Sequence, residues 1–235
     1  MDDLRPSPLG TKKHWDGHYE KELENFVEFN DAGEIWFGRI GERRIIEYLS
    51  GCSTPLDSRI LDLGCGNGHF CIELVKHGYI SVIGVDYSET AIKLAQMVSA
   101  SARFSDRTKF KCLDLLSPES VRDFASQEGP FDVAIDKGTF DAVTLTPDDA
   151  NSLRVSEMSR DLYLFNTHHL LRPDGMVVIT SCNWAADELR REFERIREGR
   201  NQLFQFTHEV PSLSSFTFGG VAGVSSVCLV FRRLD

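Results

Sequence analysis

The chain has 235 residues, of which 41% are hydrophobic and 26% charged, the composition of a soluble globular protein of about one large α/β domain. A formal net charge of −10 repels phosphate backbones and favours cationic partners, so it argues against direct nucleic-acid binding and leans toward a basic substrate. No apolar run nears the roughly 18 residues of a membrane helix, and the opening "MDDLRPSPLGTKKHW" lacks the apolar core of a secretory signal, so the cytoplasm is the expected compartment, with the nucleus also open.

Residues 1–13 are polar, hold two prolines and are expected to be flexible. From His14 the chain gains aromatic residues, and Ile45, Ile46 and Leu49 at helical spacing predict a helix over about 41–50. After the breaker "GCSTPLDS", strands and helices alternate. "RILDLG" (59–64) is the first strand, "HFCIELVKHG" (69–78) a helix, and "SVIGVD" (81–86) the second strand. Ser88 caps the helix "ETAIKLAQMVSASA", with Ile92, Ala95 and Met97 expected inside. "TKFKCLD" (108–114) is the third strand, a weaker helix lies near 117–127, and "FDVAID" (131–136) is the fourth strand. A helix over about 152–171 places Val155, Met158, Leu162 and Phe165 on one face.

"GMVVIT" (175–180) is the fifth strand and a helix follows over 184–198. Glutamates alternate with its arginines, so "LRREFERIREGR" reads as a solvated helix rather than an RNA-binding arm. "QLFQFTHEV" (202–210) and "SSVCLVFRR" (225–233) are strand-like with no helix between them, which predicts an antiparallel pair at the sheet edge. The pattern implies an α/β, doubly wound, mostly parallel sheet with helices on both faces. Residues 1–40 form an extension packing on a main domain of residues 41–235. The cysteines, Cys52, Cys65, Cys71, Cys112, Cys182 and Cys228, form no C-x-x-C pair and no zinc spacing, so no metal is expected.

"ILDLGCGNGHF" (60–70) is a strand that breaks into glycines and opens a helix, the context in which such a loop holds a nucleotide-like cofactor. Gly64, Gly66 and Gly68 let the backbone approach a ligand closely. The dinucleotide fingerprint needs glycine at 69, where His69 stands, which weakens an NAD reading. Asp86 ends the second strand, where a carboxylate accepts both hydroxyls of a ribose. NAD and S-adenosylmethionine both carry that ribose, so Asp86 alone does not choose.

Three features add to this. Asp62 precedes the glycines, where an acid meets a cofactor's amino group; Asp114 ends the third strand, in position for an adenine amino group; and the chain finishes on two strands. Together with "LDLGCGNG" they resemble the class I, seven-stranded methyltransferases. The resemblance implies strand order 3-2-1-4-5-7-6 with the seventh antiparallel, S-adenosylmethionine as cofactor and S-adenosylhomocysteine as product. It also implies a cofactor set of Trp36, Asp62, Gly64, Cys65, Gly66, Asn67, Gly68, Asp86, Tyr87, Asp114, Leu115 and Asp136. Backbone N–H groups at the helix start suit the cofactor's carboxylate, and strand-end acids its ammonium.

The fourth strand runs into "IDKGTFDAVTL" (135–145), which lacks the N/D-P-P-Y/F/W of adenine-N6 methyltransferases. "HWDGHYEKELENF", "GEIWFG", "IDKGTFDAV", "TSCNW" and "FTFGGVAGVSSVCLVF" resemble the elongation factor 1-alpha lysine methyltransferases across nearly the whole chain. That resemblance implies a cytoplasmic enzyme acting on a lysine of that factor; a monomer is the expected state. Asp136 is the first catalytic expectation, against the cofactor's ammonium or the substrate amine; Phe140 and Asp141 are expected to wall or anchor a lysine channel. Trp36 and Phe37 suit the front of the site, where aromatic faces attract cations. Asn183 and Trp184 fall on the same edge, and "FTFGGVAG" suits a loop contacting the substrate. Three other readings stay open: a small-molecule methyltransferase, an NAD-dependent oxidoreductase, and a non-catalytic binding module.

Overall fold

The apolar runs of the sequence become strands covered on both faces, as a parallel sheet requires. The computed structural model describes residues 7–146, 154–197, 199, 201–213, 216–218, 221–223 and 226–235. In chain order the elements are α1 (Lys12–Phe29), α2 (Gly38–Gly51), β1 (Arg59–Leu63), α3 (His69–Lys76), β2 (Ser81–Asp86), α4 (Glu89–Ser101), β3 (Thr108–Cys112), α5 (Pro118–Glu128), β4 (Phe131–Lys137) and α6 (Thr139–Thr144). Then follow α7 (Arg154–Leu170), β5 (Leu171–Ser181), α8 (Ala186–Glu194), β6 (Phe204–Glu209), β7 (Phe216–Phe218), β8 (Val221–Gly223) and β9 (Val227–Arg233). The main sheet runs β3-β2-β1-β4-β5-β9-β6. Its first five strands are parallel, and β9 is antiparallel to both β5 and β6. Since β9 is the seventh strand of this sheet, the expected order is borne out.

One face of the sheet packs Ile45 and Leu49 of α2, Phe70 and Leu74 of α3, and Ala95 of α4 on Ile60, Val82 and Ile135. The other packs Phe124 of α5, Tyr163 and Leu164 of α7, and Phe193 of α8 on Leu61, Val85 and Ile179. Each fully buried large apolar side chain contributes about 1.5–3 kcal/mol. Ser88 and Ser117 cap α4 and α5, and Pro118 supplies the fixed φ of a first helical position. Among the described residues, no helix is long and apolar enough to cross a membrane.

The structure differs from the sequence reading in several places. The segment expected to be flexible through residue 13 holds a 3-10 turn at Pro8–Gly10, and α1 begins at Lys12 with Thr11 as its cap. α1 itself is amphipathic, but charges interrupt its inner face: Tyr19, Glu22 and Phe26 are buried, and the two aromatics pack on Ile72, Leu94 and Val98. On α7 the buried face is Ser159, Tyr163, Leu164, Asn166, Thr167 and Leu170, while Met158 and Phe165 are exposed. Polar Asn166 faces inward because its amide donates to the Leu115 carbonyl at 2.8 Å. The side chain of Val155 lies outside the described residues. On α4, Met97 is only half-buried and Leu94 takes the inner position. Within "FTFGGVAG" the short strands β7 and β8 pair with each other, and Gly219 and Gly220 lie outside the described residues.

Candidate active site

The carboxyl ends of β1, β2 and β4 open where the sheet order reverses, the place where ligands bind in such folds. A cleft of about 1350 Å³, counted to its open mouth, lies there. Of the residues expected at a site, it collects Trp36, Gly64, Cys65, Gly66, Asn67, Asp86, Tyr87, Asp114, Leu115 and Asp141, with Phe37 and Asn183. Asp62, Gly68, Asp136, Phe140 and Trp184 do not line it.

The glycine loop owes its shape to local constraints. Gly64 has φ +69°, and a Cβ there would stand 2.0 Å from the Thr139 hydroxyl, which itself donates to the Leu63 carbonyl at 2.7 Å. Gly66 has φ +51°, and its missing Cβ makes room for the Tyr19 hydroxyl. Gly68 is a packing glycine: a Cβ would strike the Phe110 ring at 2.7 Å, the close helix–strand approach such a position allows. Cys65 is buried and its N–H is held by the Val85 carbonyl at 2.9 Å.

Asp86 is buried beside this loop. Its carboxylate accepts from the Gly66 N–H at 3.1 Å and the Ser88 N–H at 2.9 Å, which leaves about half of its lone-pair capacity toward the cleft. Burial pushes its pKa up to about 6, against the opposing pull of those two N–H groups. Asp114 is exposed at the cleft and accepts from the Leu116 N–H at 2.8 Å. Asp86 at a ribose and Asp114 at an adenine amine fit an adenosine-bearing cofactor.

Asp136 and Phe140 correct the sequence expectation. Asp136 is fully buried beneath the site and accepts from the Thr139 N–H at 2.8 Å, the Phe140 N–H at 2.9 Å and the Tyr163 hydroxyl. It closes the first turn of α6 rather than facing a ligand. Burial raises its pKa to about 7, although the Tyr163 hydroxyl pulls the other way. Phe140 is a core residue among Tyr163, Trp184 and Phe193, with ring centroids 5.2, 5.8 and 5.3 Å away, so neither it nor Trp184 walls a channel. Asp62 is also fully buried. It accepts from the Cys71 thiol at 3.4 Å, keeps one oxygen without a partner, and has a raised pKa from burial, opposed by Lys137.

Asp141 does reach the cleft. It accepts from the Ser181 hydroxyl at 2.6 Å, the Cys182 N–H at 2.9 Å and the Cys182 thiol at 3.4 Å, which tie α6 to the end of β5. Burial raises its pKa, while these donors oppose the rise. Cys182, also at the cleft, has its thiol pushed up to about 11 by burial and by Asp141. It is therefore a neutral thiol near neutral pH, unsuited to nucleophilic attack.

The roof is the segment between α1 and α2. Asn67 holds it: its amide donates to the carbonyls of Ala32 at 2.8 Å and Glu34 at 3.0 Å, and its oxygen accepts from the His69 N–H at 3.2 Å. Glu22 of α1 accepts from the Glu34 N–H at 2.7 Å. So fixed, Trp36 meets Trp15 at 5.2 Å between ring centroids, and Phe37 adopts φ +64° with its ring over Gly138. Residues that sequence reasoning missed are Trp15, Tyr19, Glu42, Lys137 and Thr139, all lining the cleft. Among the described residues, no group of three or more His, Cys, Asp or Glu is placed to hold a metal ion.

Comparison with known proteins agrees with this geometry. Residues 56–212 match the family model described as "Methyltransferase domain". The chain is 40% identical over 232 residues to EEF1A lysine methyltransferase 2 of Mus musculus, covering 99% of this chain and 86% of that protein. It is 36% identical over 246 residues to the protein-lysine N-methyltransferase efm4 of Schizosaccharomyces pombe, covering 99% and 97%. Among solved structures, a SAM-dependent methyltransferase from Anabaena variabilis superposes with a TM-score of 0.63 at 13% identity, covering 99% of this chain and 98% of that one, and shares the fold. A buried strand-end Asp86 at the cleft, a glycine loop opening a helix and this full-length likeness converge: the chain belongs to the class I S-adenosylmethionine-dependent methyltransferases, in the family of EEF1A lysine methyltransferase 2 and Efm4.

Proposed function

We propose that this protein methylates a lysine side chain of elongation factor 1-alpha, EEF1A, with S-adenosylmethionine as donor. The observation that carries the reading is the length of the likeness: relatives named EEF1A lysine methyltransferase 2 match at 36–40% identity over 99–100% of the chain, roof and C-terminal strands included. When bound, the donor supplies an electrophilic methyl group on a cationic sulfur.

The chain's own residues bind and align. Asp86 takes the ribose hydroxyls and Asp114 the adenine amine, with Leu115 and Tyr87 as walls. Trp15, Trp36 and Phe37 present aromatic faces to cationic groups at the front. A free lysine has a pKa near 10.4, so entering as a neutral amine at pH 7 costs roughly 4–5 kcal/mol. Neither acid expected at the reacting groups is placed as a base: Asp136 faces away, and Asp141 is already held by three donors. A carboxylate also raises a neighbouring amine's pKa, so acids here dock the lysine while its proton leaves to water. Alignment of nitrogen, methyl and sulfur supplies most of the acceleration, an effect of up to about 7–11 kcal/mol.

Six free cysteines support a reducing compartment, the cytoplasm with access to the nucleus. The test is transfer from donor labelled on its methyl group in a lysate, with protein and metabolite fractions counted separately. Label on the EEF1A band is the expected result; label confined to metabolites would replace this reading with a small-molecule methyltransferase.

A further inference from the structure

The amino-acid head of the donor is a zwitterion, and its carboxylate needs a partner. The start of α3 offers little. The N–H groups of Cys65, Gly66, Gly68 and His69 are already taken by the Val85 carbonyl, Asp86, the Cys65 carbonyl and Asn67. Across from this loop, Lys137 ends β4 with its ammonium 5.0 Å from the centroid of the Phe70 ring. Among the described cleft-lining residues Glu34, Glu42, Asp86, Asp114 and Asp141 are acidic, and Lys137 is the one cation. It is half-buried and makes no hydrogen bond or ion pair with any described residue, so its three donors remain unused. Burial opposes its charge, but Asp62 and Glu42 hold the ammonium above its ordinary pKa. Glu42 of α2 is buried, lines the same cleft and is fixed by His69 Nδ1 at 2.9 Å.

We propose that Lys137 and Glu42 form the subsite for an α-amino-acid zwitterion, Lys137 binding the carboxylate and Glu42 the ammonium of the donor's methionine part. This rests on the donor reading above. The strand geometry explains the placement. Side chains alternate along β4, so Asp136 turns to Tyr163 on one face and Lys137 to Phe70 on the other. An ammonium with no ion-pair partner among the described residues is free to take a ligand's carboxylate in a charge-assisted hydrogen bond.

The test is calorimetric binding to wild type and Lys137→Met of three ligands: S-adenosylhomocysteine, its decarboxylated analogue, and 5′-methylthioadenosine, which lacks the whole amino-acid head. Wild type is expected to prefer S-adenosylhomocysteine over the decarboxylated analogue by about tenfold to a hundredfold, as for a charge-assisted hydrogen bond. Lys137→Met is expected to bind those two equally and to keep its affinity for methylthioadenosine. Glu42→Gln is expected to weaken both amine-bearing ligands alike and to leave methylthioadenosine unchanged. A Lys137→Met protein that keeps the wild-type preference, or loses methylthioadenosine as well, overturns the subsite. Should that variant not fold, wild type still decides: equal affinity with and without the carboxylate overturns the assignment. Wild type that binds none of the three overturns the donor reading itself, and the subsite with it.

Discussion

Asp86 and Asp136 stand at the carboxyl ends of the two strands that flank β1, as last and next-to-last residue, yet they do opposite work. Asp86 keeps lone pairs toward the cleft, whereas Asp136 is closed off under α6. Sequence shows that an acid ends each strand but not which face it takes, because a sheet covered on both sides lacks the polar–apolar alternation that would reveal it. Lys137 escaped notice for the same reason. Burial pushes the Asp86 pKa up to about 6, and the proposed ribose contact needs its ionised form. Affinity for S-adenosylhomocysteine should therefore weaken about tenfold between pH 7 and pH 5, and Asp86→Asn should remove that dependence. A pH-independent wild-type affinity would remove Asp86 from the ribose. Asp136 has a folded pKa of about 7, above the 3.8 of an ordinary aspartate. The fold thus holds the extra proton between those values, and stability falls as pH rises through them. Unfolding free energy should drop by about 1 kcal/mol from pH 6 to pH 8, and Asp136→Asn should flatten that slope.

At the scale of elements, the alternating core was legible because each strand is a short apolar run and each following helix is capped or ended by recognisable residues, Ser88 and Ser117 among them. α1 was not, since buried Glu22 sits between Tyr19 and Phe26 and its reason is the Glu34 N–H, distant in sequence. α6 is only six residues long, too short for a periodic signal. The α7 stripe misled because apolar Met158 faces solvent while Asn166 is held inside by a backbone carbonyl. The roof depends on Asn67 as a latch. Asn67→Ala removes the two hydrogen bonds that hold the roof, about 1–3 kcal/mol in all. Amide exchange over 31–37 should quicken about tenfold or more, with KM for the protein substrate rising more than Kd for S-adenosylhomocysteine. Unchanged exchange would show that the roof is held by other contacts.

Across the whole molecule, the fold places an acidic, aromatic-fronted cleft on a chain of net charge −10. Such a surface draws in a basic partner, and the attraction is screened over about 8–10 Å at physiological salt. Raising salt should lower kcat/KM for the protein substrate severalfold while barely moving the cofactor's affinity, which rests on groups inside the cleft. The fold and cofactor class could be read from strand-end acids and glycines because local backbone demands fix them. The partner could not be read from any local rule, since the cleft is assembled from α1, the roof, α6 and the end of β5, far apart in sequence. The most direct measurement is mass spectrometry of purified, unmethylated EEF1A after incubation with this protein and S-adenosylmethionine. The expected result is a gain in multiples of one methyl group at a lysine, abolished by Asp86→Ala. EEF1A of unchanged mass, while the same protein demonstrably binds S-adenosylhomocysteine, would contradict it.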